Sequence, residues 1–372
     1  MGWRSVIYQT QVAIVGAGPA GLSAALEIAK LGGKVMVFDE NDRPGGQLFK
    51  QIHKFFGSEH HGAGIRGIHL GEQLLEQCRK YGVDIRLNTV VYGVFPNNEI
   101  GIIQDGKSHT VHAEKILVAT GATERPLAFP GWDLPGVMGA GAAQTMVNIN
   151  RVQPGQKVVM IGSGNVGLVV SYQLLQAGVD VVAIVEGLPK INGYAVHANK
   201  LMRQGVPVYL SHTILEARGD GKVEEVVIAE VGPGFVPVPN TEKVLKADTV
   251  CLAVGLTPSL ELLKMGGVQF IHMPKMGGFV PLHDETMKTT QEGLYVAGDV
   301  AGIEEASTAM EEGKLAGIAI SQALGLVEDA KARQLTDEVN ERIAQLRNGS
   351  HGEARRQAKE DIVRGYYQWK AK

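Results

Sequence analysis

The stretch VAIVGAGPAGLSAALEIAKLGGKVMVFDE at residues 12–40 decides the fold of this chain, because VVMIGSGNVGLVVSYQLLQAGVDVVAIVE at 158–186 repeats its pattern. Each stretch contains a short apolar strand, a Gly-x-Gly-x-x-Gly turn, an amphipathic helix, a second apolar strand and an acidic residue. In such a turn the first glycine permits a tight bend, the second lets the backbone approach a pyrophosphate, and the third lets the helix pack on the strand. The repeat predicts an α/β chain with two Rossmann-like dinucleotide-binding domains.

Both turns lead into a helix N-terminus, where free N–H groups and the positive end of the helix dipole attract phosphate. The acid that ends the second strand accepts hydrogen bonds from ribose hydroxyls. The residues predicted on these grounds are Gly16, Gly18, Gly21 and Asp39 in the first copy, and Gly162, Gly164, Gly167 and Glu186 in the second.

The acid of the second copy also predicts which nicotinamide cofactor binds there. Glu186 is expected to pair with a ribose 2′-hydroxyl and to repel a 2′-phosphate. The GLPK sequence at 187–190 offers no arginine to hold that phosphate. We therefore expect NAD(H) rather than NADP(H), and the alternative is a second unit that binds nothing.

Composition and charge indicate a globular protein of about two domains. The chain has 372 residues, 44% of them apolar and 20% charged, and its net charge of −3 gives no reason to expect nucleic acid or an anionic membrane as a partner. A run of about 18 apolar residues is missing, so no membrane span is expected, and residues 1–11 lack the apolar core of a signal peptide. Only Cys78 and Cys251 are present, which suits a reducing compartment, and the expected location is the cytoplasm.

The rest of the chain carries weaker secondary-structure signals. Apolar spacing predicts a helix at 69–82, strands and turns at 84–118, and a Pro/Gly-rich crossover at 122–141. Further strands are expected at 206–210, 223–231 and 248–254, and a helix at 304–324. In the tail from 328 to 372, a stripe at Leu335, Val339, Ile343 and Leu346 predicts a helix that ends at Asn348-Gly349-Ser350. The tail is either a helix packed on its own domain or a docking element for another subunit, and its loss is expected to leave nucleotide binding intact.

Three motifs resemble those of the two-dinucleotide-binding-domain flavoproteins, the group of pyridine nucleotide-disulfide oxidoreductases that includes thioredoxin reductases. They are GAGPAG at 16–21, ILVATGA at 116–122 and LYVAGD at 294–299. The resemblance implies a discontinuous FAD-binding domain, an NAD-binding domain inserted in it, and a helical C-terminal extension. The implied ranges are 1–125 with 272–327 for FAD, 126–271 for NAD, and 328–372 for the extension.

The same resemblance implies the cofactor-binding residues. Gly46, Gln47 and Arg43 would line the pyrophosphate and the flavin, residues 119–121 would pass over the adenine side, and Asp299 would accept a hydrogen bond from the ribityl chain. The full FAD set is Gly16, Gly18, Pro19, Ala20, Gly21, Asp39, Glu40, Arg43, Gly46, Gln47, Val91, Ala119, Thr120, Gly121, Gly298 and Asp299. The NAD set is Gly162, Gly164, Asn165, Val166, Gly167, Glu186 and Gly255.

A narrower resemblance is carried by GGQLFKQIHKFFGS at 45–58, GATERPLAFPGWDLPGVMGAGAAQ at 121–144 and ADTVCLAVGLTPSLELL at 247–263. These segments look like the α-type subunits of heteromeric sarcosine oxidase, proline or hydroxyproline dehydrogenase, and opine oxidase. Such subunits bind a dinucleotide while a separate subunit oxidises the substrate, and they differ in whether the first site holds FAD or another adenine nucleotide. The resemblance implies hydride transfer between nicotinamide and flavin. It also implies two partners, a flavin subunit that resembles amino-acid oxidases and a small iron–sulfur subunit.

The chain lacks the redox cysteines of the reductases that it resembles. No Cys-x-x-Cys or Cys-x₄-Cys pair exists, and two cysteines are too few to ligate an iron–sulfur cluster. Cys251 is predicted to be a buried structural thiol and Cys78 to be half-buried. Electrons that reach the flavin are therefore expected to leave to another molecule.

Histidines 53, 60, 61 and 69 follow the Gly-Gly-Gln turn, and their spacing fits no common metal signature. The first interpretation is a polar loop. The second places Lys50, His53 and Lys54 beside the flavin, where they would stabilise its reduced anion, so Lys50 and His53 are the candidate catalytic residues. Two further functions stay open for the chain: a free-standing NADH:acceptor reductase that uses a quinone or dye, and a structural subunit stabilised by a nucleotide.

Overall fold

The computed structural model describes residues 6–55 and 58–372, with the backbone but not the side chains of 350 and 351. Residues 1–5, part of the segment in which no signal peptide is expected, and residues 56–57 of the predicted histidine loop lie outside the described residues. The chain forms two compact units. Unit 1 contains the described residues up to Thr123 together with Thr257–Lys372, and unit 2 is Glu124–Leu256.

Unit 2 is inserted in the chain of unit 1, and the predicted α/β class is confirmed. The chain returns to unit 1 at Thr257, earlier than the predicted boundary at 271. The reason is that Leu260, Leu263 and Val268 are buried in the hydrophobic core of unit 1. Residues 257–271 therefore fold with the first unit.

Strands alternate with helices around the two glycine turns, whereas residues 84–139 and 208–258 form runs of strands with no α-helix between them. In chain order the strands are β1 (Ile7–Val15), β2 (Val35–Phe38), β3 (Asp84–Arg86), β4 (Thr89–Phe95), β5 (Glu99–Gln104), β6 (Lys107–Val118), β7 (Ala122–Glu124), β8 (Val137–Gly139), β9 (Lys157–Ile161), β10 (Asp180–Glu186), β11 (Val208–Leu210), β12 (His212–Arg218), β13 (Glu225–Glu230), β14 (Lys243–Lys246), β15 (Thr249–Leu252), β16 (Leu256–Pro258), β17 (Phe270–Met273), β18 (Gly278–Pro281) and β19 (Leu294–Val296). The helices are α1 (Pro19–Lys30), α2 (Gly67–Lys80), α3 (Ala140–Thr145), α4 (Asn165–Gln176), α5 (Ala195–Arg203), α6 (Glu261–Met265), α7 (Ala306–Ala323), α8 (Asp329–Leu346) and α9 (Gly349–Lys370).

The main sheet of unit 1 has the strand order β3-β2-β1-β6-β5-β4, and β19 pairs with β6. Strands β1, β2, β3, β6 and β19 are parallel to one another, and β2, β19 and the last residues of β1 and β6 are apolar and buried, as is typical of a parallel sheet. Successive strands run outward from β1 on one side, while β6 lies on its other side. Ligands bind in the crevice at the carboxyl ends of the strands at such a reversal of strand order.

Unit 2 repeats this arrangement in a smaller sheet of order β11-β10-β9-β15-β8, whose strands are all parallel. Its reversal of order lies between β9 and β15. A separate antiparallel sheet contains β12, β13 and β14. Its residues Ile214, Val226 and Ile228 are buried in one hydrophobic cluster with residues of the parallel sheet of unit 2. The predicted strands at 206–210, 223–231 and 248–254 correspond to β11, β13 and β15, whereas α5 and β12 were not predicted.

Helices α1 and α7 pack closely on the main sheet of unit 1. A Cβ added at Gly313 of α7 would collide with the Ala20 carbonyl oxygen of α1, so the glycine sets how near the two helices come. This contact brings the first turn of α7 beside the glycine turn that precedes α1. The predicted helix at 304–324 is confirmed as α7.

The C-terminal extension is two helices that pack on unit 1. Val339 and Ile343 of α8 are buried in the main core, which confirms the predicted stripe, while Leu335 is partly buried against it. Ala358 and Ile362 of the unpredicted helix α9 pack against Met276 and Val280. The extension is therefore integral to unit 1. In the described chain none of the helices combines the length and the apolar character needed to cross a membrane.

Candidate dinucleotide-binding sites

Four neighbouring parallel strands of unit 1 end at one edge of the main sheet, and each is followed by predicted FAD-binding residues. Gly16 follows β1, Asp39 follows β2, Ala119 follows β6, and Gly298 lies just beyond β19. Since Val15 is in register with Val118, and Val118 with Val296, the carboxyl ends of β1, β6 and β19 are adjacent. Residues far apart in the sequence are thus brought together at the carboxyl ends of these strands.

In the first glycine turn, the surrounding backbone excludes a side chain at two of the three glycines but not at the other. Gly16 has φ +105°, and a Cβ there would collide with the Ala119 carbonyl oxygen, while a Cβ at Gly21 would collide with the carbonyl of Gly16. These two glycines are required by the chain itself. At Gly18 an added Cβ would meet only the Cα of Gly46, at 3.9 Å. The second glycine therefore leaves a space that the protein does not fill.

The second turn has the same division of roles. Gly162 has φ +105° and lies against the Ala253 carbonyl, and a Cβ at Gly167 would collide with the carbonyl of Gly162. A Cβ at Gly164 would meet no described atom within 4 Å. Both turns thus leave the space expected of a pyrophosphate site at the position of the second glycine.

Each turn opens directly into a helix whose first N–H groups have no side-chain cap among the described residues. Helix α1 begins at Pro19, with Ala20 next, and α4 begins at Asn165, with Val166 next. Proline suits the first helical position because it has no N–H to leave unpaired. The free N–H groups and the dipole of each helix therefore remain available to an anion.

The two predicted ribose acids are buried in matching environments. One Asp39 carboxylate oxygen accepts the Ala17 N–H at 2.7 Å, and the other accepts both the backbone and side-chain N–H of Asn41. One Glu186 oxygen accepts the Leu188 N–H at 2.9 Å, and the other accepts the backbone N–H and the hydroxyl of Ser163. A carboxylate oxygen accepts two hydrogen bonds readily. In each acid, the oxygen with a single donor in the described chain can accept a further hydrogen bond, such as that of a ribose hydroxyl.

The internal repeat continues beyond the predicted units into the loop that follows each acid. In unit 1 the Gly45 N–H donates to the Ala17 carbonyl at 2.6 Å, and in unit 2 the Gly193 N–H donates to the Ser163 carbonyl at 2.8 Å. Both loops therefore return over the middle residue of their glycine turn. The close approach requires glycine, because a Cβ at Gly46 would lie 2.9 Å from the Gly18 Cα, and one at Gly193 would lie 3.0 Å from the Asn165 nitrogen. Motif spacing did not single out Gly193 or Ser163, although Gly45 and Gly193 occupy corresponding places after their acids.

The other predicted FAD residues lie at varied depths in unit 1. Glu40, Arg43 and Gln47 are exposed, and Val91 lies within β4, partly buried against the core. The Thr120 hydroxyl donates to the Ser259 carbonyl, which fixes the chain as it leaves β6. Gly121 has φ +70° at this exit. In unit 2, Gly255 is exposed beyond β15, with φ +120°.

Asp299 lies in the turn between the end of β19 and the start of α7. It is partly exposed, and desolvation by the surrounding chain raises the pKa of its carboxyl to about 6, although the Glu304 N–H donates to it. Gly298 has φ +79°, and its N–H donates to the Glu312 side chain at 3.1 Å. The Asp299 carboxyl therefore sits on a turn whose geometry α7 helps to set.

The four histidines of the predicted loop do not converge. His53 is half-buried and stacks on Phe55, His61 is buried with a nitrogen 3.4 Å from Glu311, and His60 and His69 are not buried. Lys50 ends a single 3₁₀ turn over Gly46–Lys50 and is half-buried. Over residues 6–55 and 58–372, no three histidine, cysteine or acidic side chains gather in a way that could hold a metal ion.

Both cysteines are fully buried and distant in sequence from each other. Burial raises the pKa of the Cys78 and Cys251 thiols to about 12, so neither forms a thiolate at neutral pH. The predicted burial of Cys251 is confirmed. The prediction that Cys78 is half-buried is wrong, because α2 turns this thiol inward to donate to the Leu22 carbonyl of α1.

Comparison with known proteins identifies the family of the chain. The chain matches the family model of pyridine nucleotide-disulphide oxidoreductases over residues 10–313. An opine oxidase subunit of Agrobacterium tumefaciens (strain Ach5) is 31% identical, over 92% of this chain and 70% of its own length. The HcnB subunit of hydrogen cyanide synthase from Pseudomonas aeruginosa is 29% identical, over 82% and 70%. The alpha subunit of sarcosine oxidase from Rhizobium meliloti (strain 1021) is 27% identical, over 84% of this chain and 30% of its own length.

A solved structure shows the same fold. L-proline dehydrogenase from P. horikoshii superposes with a TM-score of 0.68 at 24% identity, over 91% of this chain and 60% of that chain. The chain shares this two-domain architecture with Rossmann-like FAD/NAD reductases. The chain belongs to the pyridine nucleotide-disulphide oxidoreductase family and is a flavin-dependent oxidoreductase. The predicted resemblance to opine oxidase and sarcosine oxidase subunits is confirmed, and these relatives are subunits of heteromeric enzymes.

Proposed function

We propose that this chain is the electron-transfer subunit of a heteromeric dehydrogenase of amines or amino acids, and that it passes a hydride between NAD(H) on unit 2 and FAD on unit 1. The observation that carries the proposal is the division of roles in both glycine turns. The first and third glycines are demanded by the chain itself, while the second faces space that the described protein leaves open. A single chain with two such cradles suits two dinucleotides.

FAD is proposed for unit 1 because its sheet edge offers more than a phosphate cradle. Asp39 has an oxygen with room for a ribose hydroxyl, and Asp299 adds a second carboxyl that follows β19. FAD has a ribityl chain between its pyrophosphate and its ring, and a carboxyl at the second position suits the ribityl hydroxyls. When bound, FAD supplies the two-electron chemistry, while the chain binds, orients and polarises it.

NAD(H) is proposed for unit 2 because of Glu186. This carboxylate is buried and held in place by three donors from Ser163 and Leu188. A 2′-phosphate would bring a second negative charge against it, and Lys190, in the loop that follows, is exposed. The charge therefore favours a ribose with a free 2′-hydroxyl.

A partner subunit is proposed because the chain has no redox-active pair of thiols that could accept electrons from the flavin. Cys78 and Cys251 are buried and stay protonated, so they do not form the redox pair that reductase relatives use. The opine oxidase, hydrogen cyanide synthase and sarcosine oxidase proteins that it resembles are all named as subunits. The proposed partner is an amino-acid-oxidase-like flavin subunit, with a small iron–sulfur subunit beside it, and the proposed location is the cytoplasm.

Purification of the tagged chain from its native cell tests the proposal. The expected result is a yellow complex in which the chain co-purifies with a second flavin subunit, and in which NADH bleaches the flavin without oxygen. A yellow homo-oligomer with full NADH-dependent activity on a quinone or dye would instead make the chain a free-standing reductase. A colourless complex that holds an adenine nucleotide would make it a structural subunit.

A further inference from the structure

The segment from Glu304 to Glu312, which comprises the approach to α7 and its first turns, carries four glutamates that pair with cations of the C-terminal extension. Each glutamate pairs with one of four cations between residues 342 and 359, and we call these four cations the C-terminal clamp. The pairs are Arg347 with Glu304 at 2.7 Å, Arg355 with Glu305 at 3.4 Å, Arg342 with Glu311 at 2.9 Å, and both Arg347 and Lys359 with Glu312 at 2.8 Å. Four glutamates of this segment thus pair with four cations of the extension.

The clamp reaches the turn that carries Asp299. This 298–302 turn is held at its start by the Gly298 N–H, which donates to Glu312 at 3.1 Å. It is held at its end by Lys359, whose ammonium donates to the Ala301 carbonyl at 3.0 Å. Because Lys359 also pairs with Glu312, one buried ion pair closes both ends of the turn.

The turn needs such support because its backbone is unusual. Gly298 and Gly302 both have positive φ, +79° and +129°. A Cβ at Gly298 would lie 2.9 Å from the Ala20 side chain, and one at Gly302 would lie 2.7 Å from Met276. The two glycines let the turn pass close to α1 and to the segment before β18, and hydrogen bonds must then fix its position.

Burial makes the clamp energetically important. Lys359 and Glu312 are 5% and 3% exposed. Burial opposes ionisation of Glu312, but Lys359 and Arg347 more than offset this and lower its pKa. Removing one member of a buried ion pair leaves an uncompensated charge, which is far costlier than losing an exposed pair.

We propose that Lys359 and its clamp are positioning elements for the flavin: the C-terminal extension holds the 298–302 turn, and with it Asp299, in the geometry that receives the ribityl chain. This inference rests on the proposed FAD site of unit 1. It revises the expectation that loss of the tail leaves nucleotide binding intact, because the counter-charges of Glu312 would leave with the tail.

The test compares Lys359→Met with Arg356→Met, three residues earlier on α9. Arg356 is exposed and pairs with Glu353 of its own helix, so it is a matched control for charge and position. Two quantities are measured: hydrogen exchange of the amides of residues 298–302 without added flavin, and the FAD dissociation constant by quenching of flavin fluorescence. The first readout does not depend on the proposed cofactor.

In Lys359→Met we expect faster exchange at 298–302 and an FAD dissociation constant raised roughly tenfold or more, the effect of losing a hydrogen bond from a charged donor. Arg356→Met should match the wild type, and Lys359→Arg should recover most of the affinity. Unchanged exchange and affinity in Lys359→Met would overturn the inference while leaving the proposed function intact. A wild-type chain that binds no FAD would overturn the proposed function, and the exchange measurement would still decide whether the clamp holds the turn.

The double variant Glu312→Gln with Lys359→Met covers the case in which Lys359→Met does not fold. Its glutamine oxygen still accepts from Gly298, and no unpaired charge is buried, so the fold should recover. The affinity for FAD should remain below that of the wild type because the Ala301 carbonyl has lost its donor. Wild-type affinity and wild-type exchange in this variant would contradict the role of Lys359.

Discussion

Gly18 and Gly164 are the residues at which the fold tolerates a side chain and the proposed pyrophosphate would not. Their φ angles, −78° and −66°, are ordinary for any residue, and an added Cβ meets no atom closer than 3.9 Å. The glycines before and after them collide with backbone carbonyls when a Cβ is added. Substitution at the second glycine therefore separates nucleotide binding from folding.

We predict that Gly18→Val purifies folded but without flavin, and that it still binds NADH. Gly164→Val should keep its flavin but lose reduction by NADH, so each variant is the control for the other. Flavin content is read from the visible spectrum, and NADH binding from quenching of protein fluorescence. Stoichiometric FAD in Gly18→Val would show that the first turn does not hold the pyrophosphate.

A second residue-scale prediction concerns Glu186. The buried carboxylate should make NADH a better reductant than NADPH by on the order of a hundredfold in kcat/KM, and Glu186→Gln should shrink this preference because the repulsive charge is gone. Asp180→Asn, at the exposed start of the same strand, is the control and should leave the preference unchanged. Equal flavin reduction by NADH and NADPH in the wild type would contradict the assignment.

Spacing alone predicted the turn glycines and both acids, because the chemistry of a phosphate turn fixes residue types at fixed intervals. It did not predict the return loops through Gly45 and Gly193, whose contacts depend on how a long loop folds back. The burial of Cys78 was also missed, since a helical periodicity gives the buried face but not how deeply a partner helix covers it.

At the scale of elements, α7 is joined to α8 by a carboxylate at their contact. Glu311 is fully buried and accepts from Lys314 and Arg342, with His61 at 3.4 Å. Burial opposes its ionisation, but His61 and the two cations lower its pKa to about 2. A carboxyl whose pKa is lowered by folding stabilises the fold above its unfolded pKa of 4.5, and this contribution disappears as the pH falls toward 2.

We predict that Glu311→Gln lowers the melting temperature at neutral pH and that its melting temperature then falls less steeply than that of the wild type as the pH drops from 4.5 toward 2. Glu338→Gln on the exposed face of α8 is the control. Circular dichroism melts across this pH range check the prediction. Parallel pH profiles of the melting temperature for Glu311→Gln and the wild type would mean that protonation of Glu311 does not cause the loss of stability at low pH.

Apolar periodicity predicted α1, α2, α4, α7 and α8, but not α9. The buried face of α9 includes Ala358, Lys359, Ile362 and Tyr366, so a charged residue lies among the apolar ones. A lysine in such a pattern is expected to be solvent-exposed until its partners are known. Those partners, Glu304 and Glu312, lie in another helix and its approach, and only the fold brings them together.

At the scale of the whole molecule, two nucleotide units without a thiol pair distinguish this chain from a disulfide reductase. The predicted consequence is that Cys78→Ala with Cys251→Ala retains NADH-dependent bleaching of the flavin at a rate close to that of the wild type. Stopped-flow absorbance measures the rate, and a melting curve controls for the small cavities that the substitutions leave. Loss of bleaching in a folded, flavin-loaded double variant would point to a thiol in the electron path.

The central claim, that a hydride passes directly between nicotinamide and flavin within this chain, is tested most directly by single-turnover reduction with NADH carrying deuterium at C4. The flavin-loaded chain is mixed anaerobically with each of the two stereospecifically deuterated forms, and the flavin absorbance is followed. The account predicts bleaching that is slower with one deuterated form than with the other and absent in Gly164→Val. No bleaching of a fully flavin-loaded chain by NADH would contradict it.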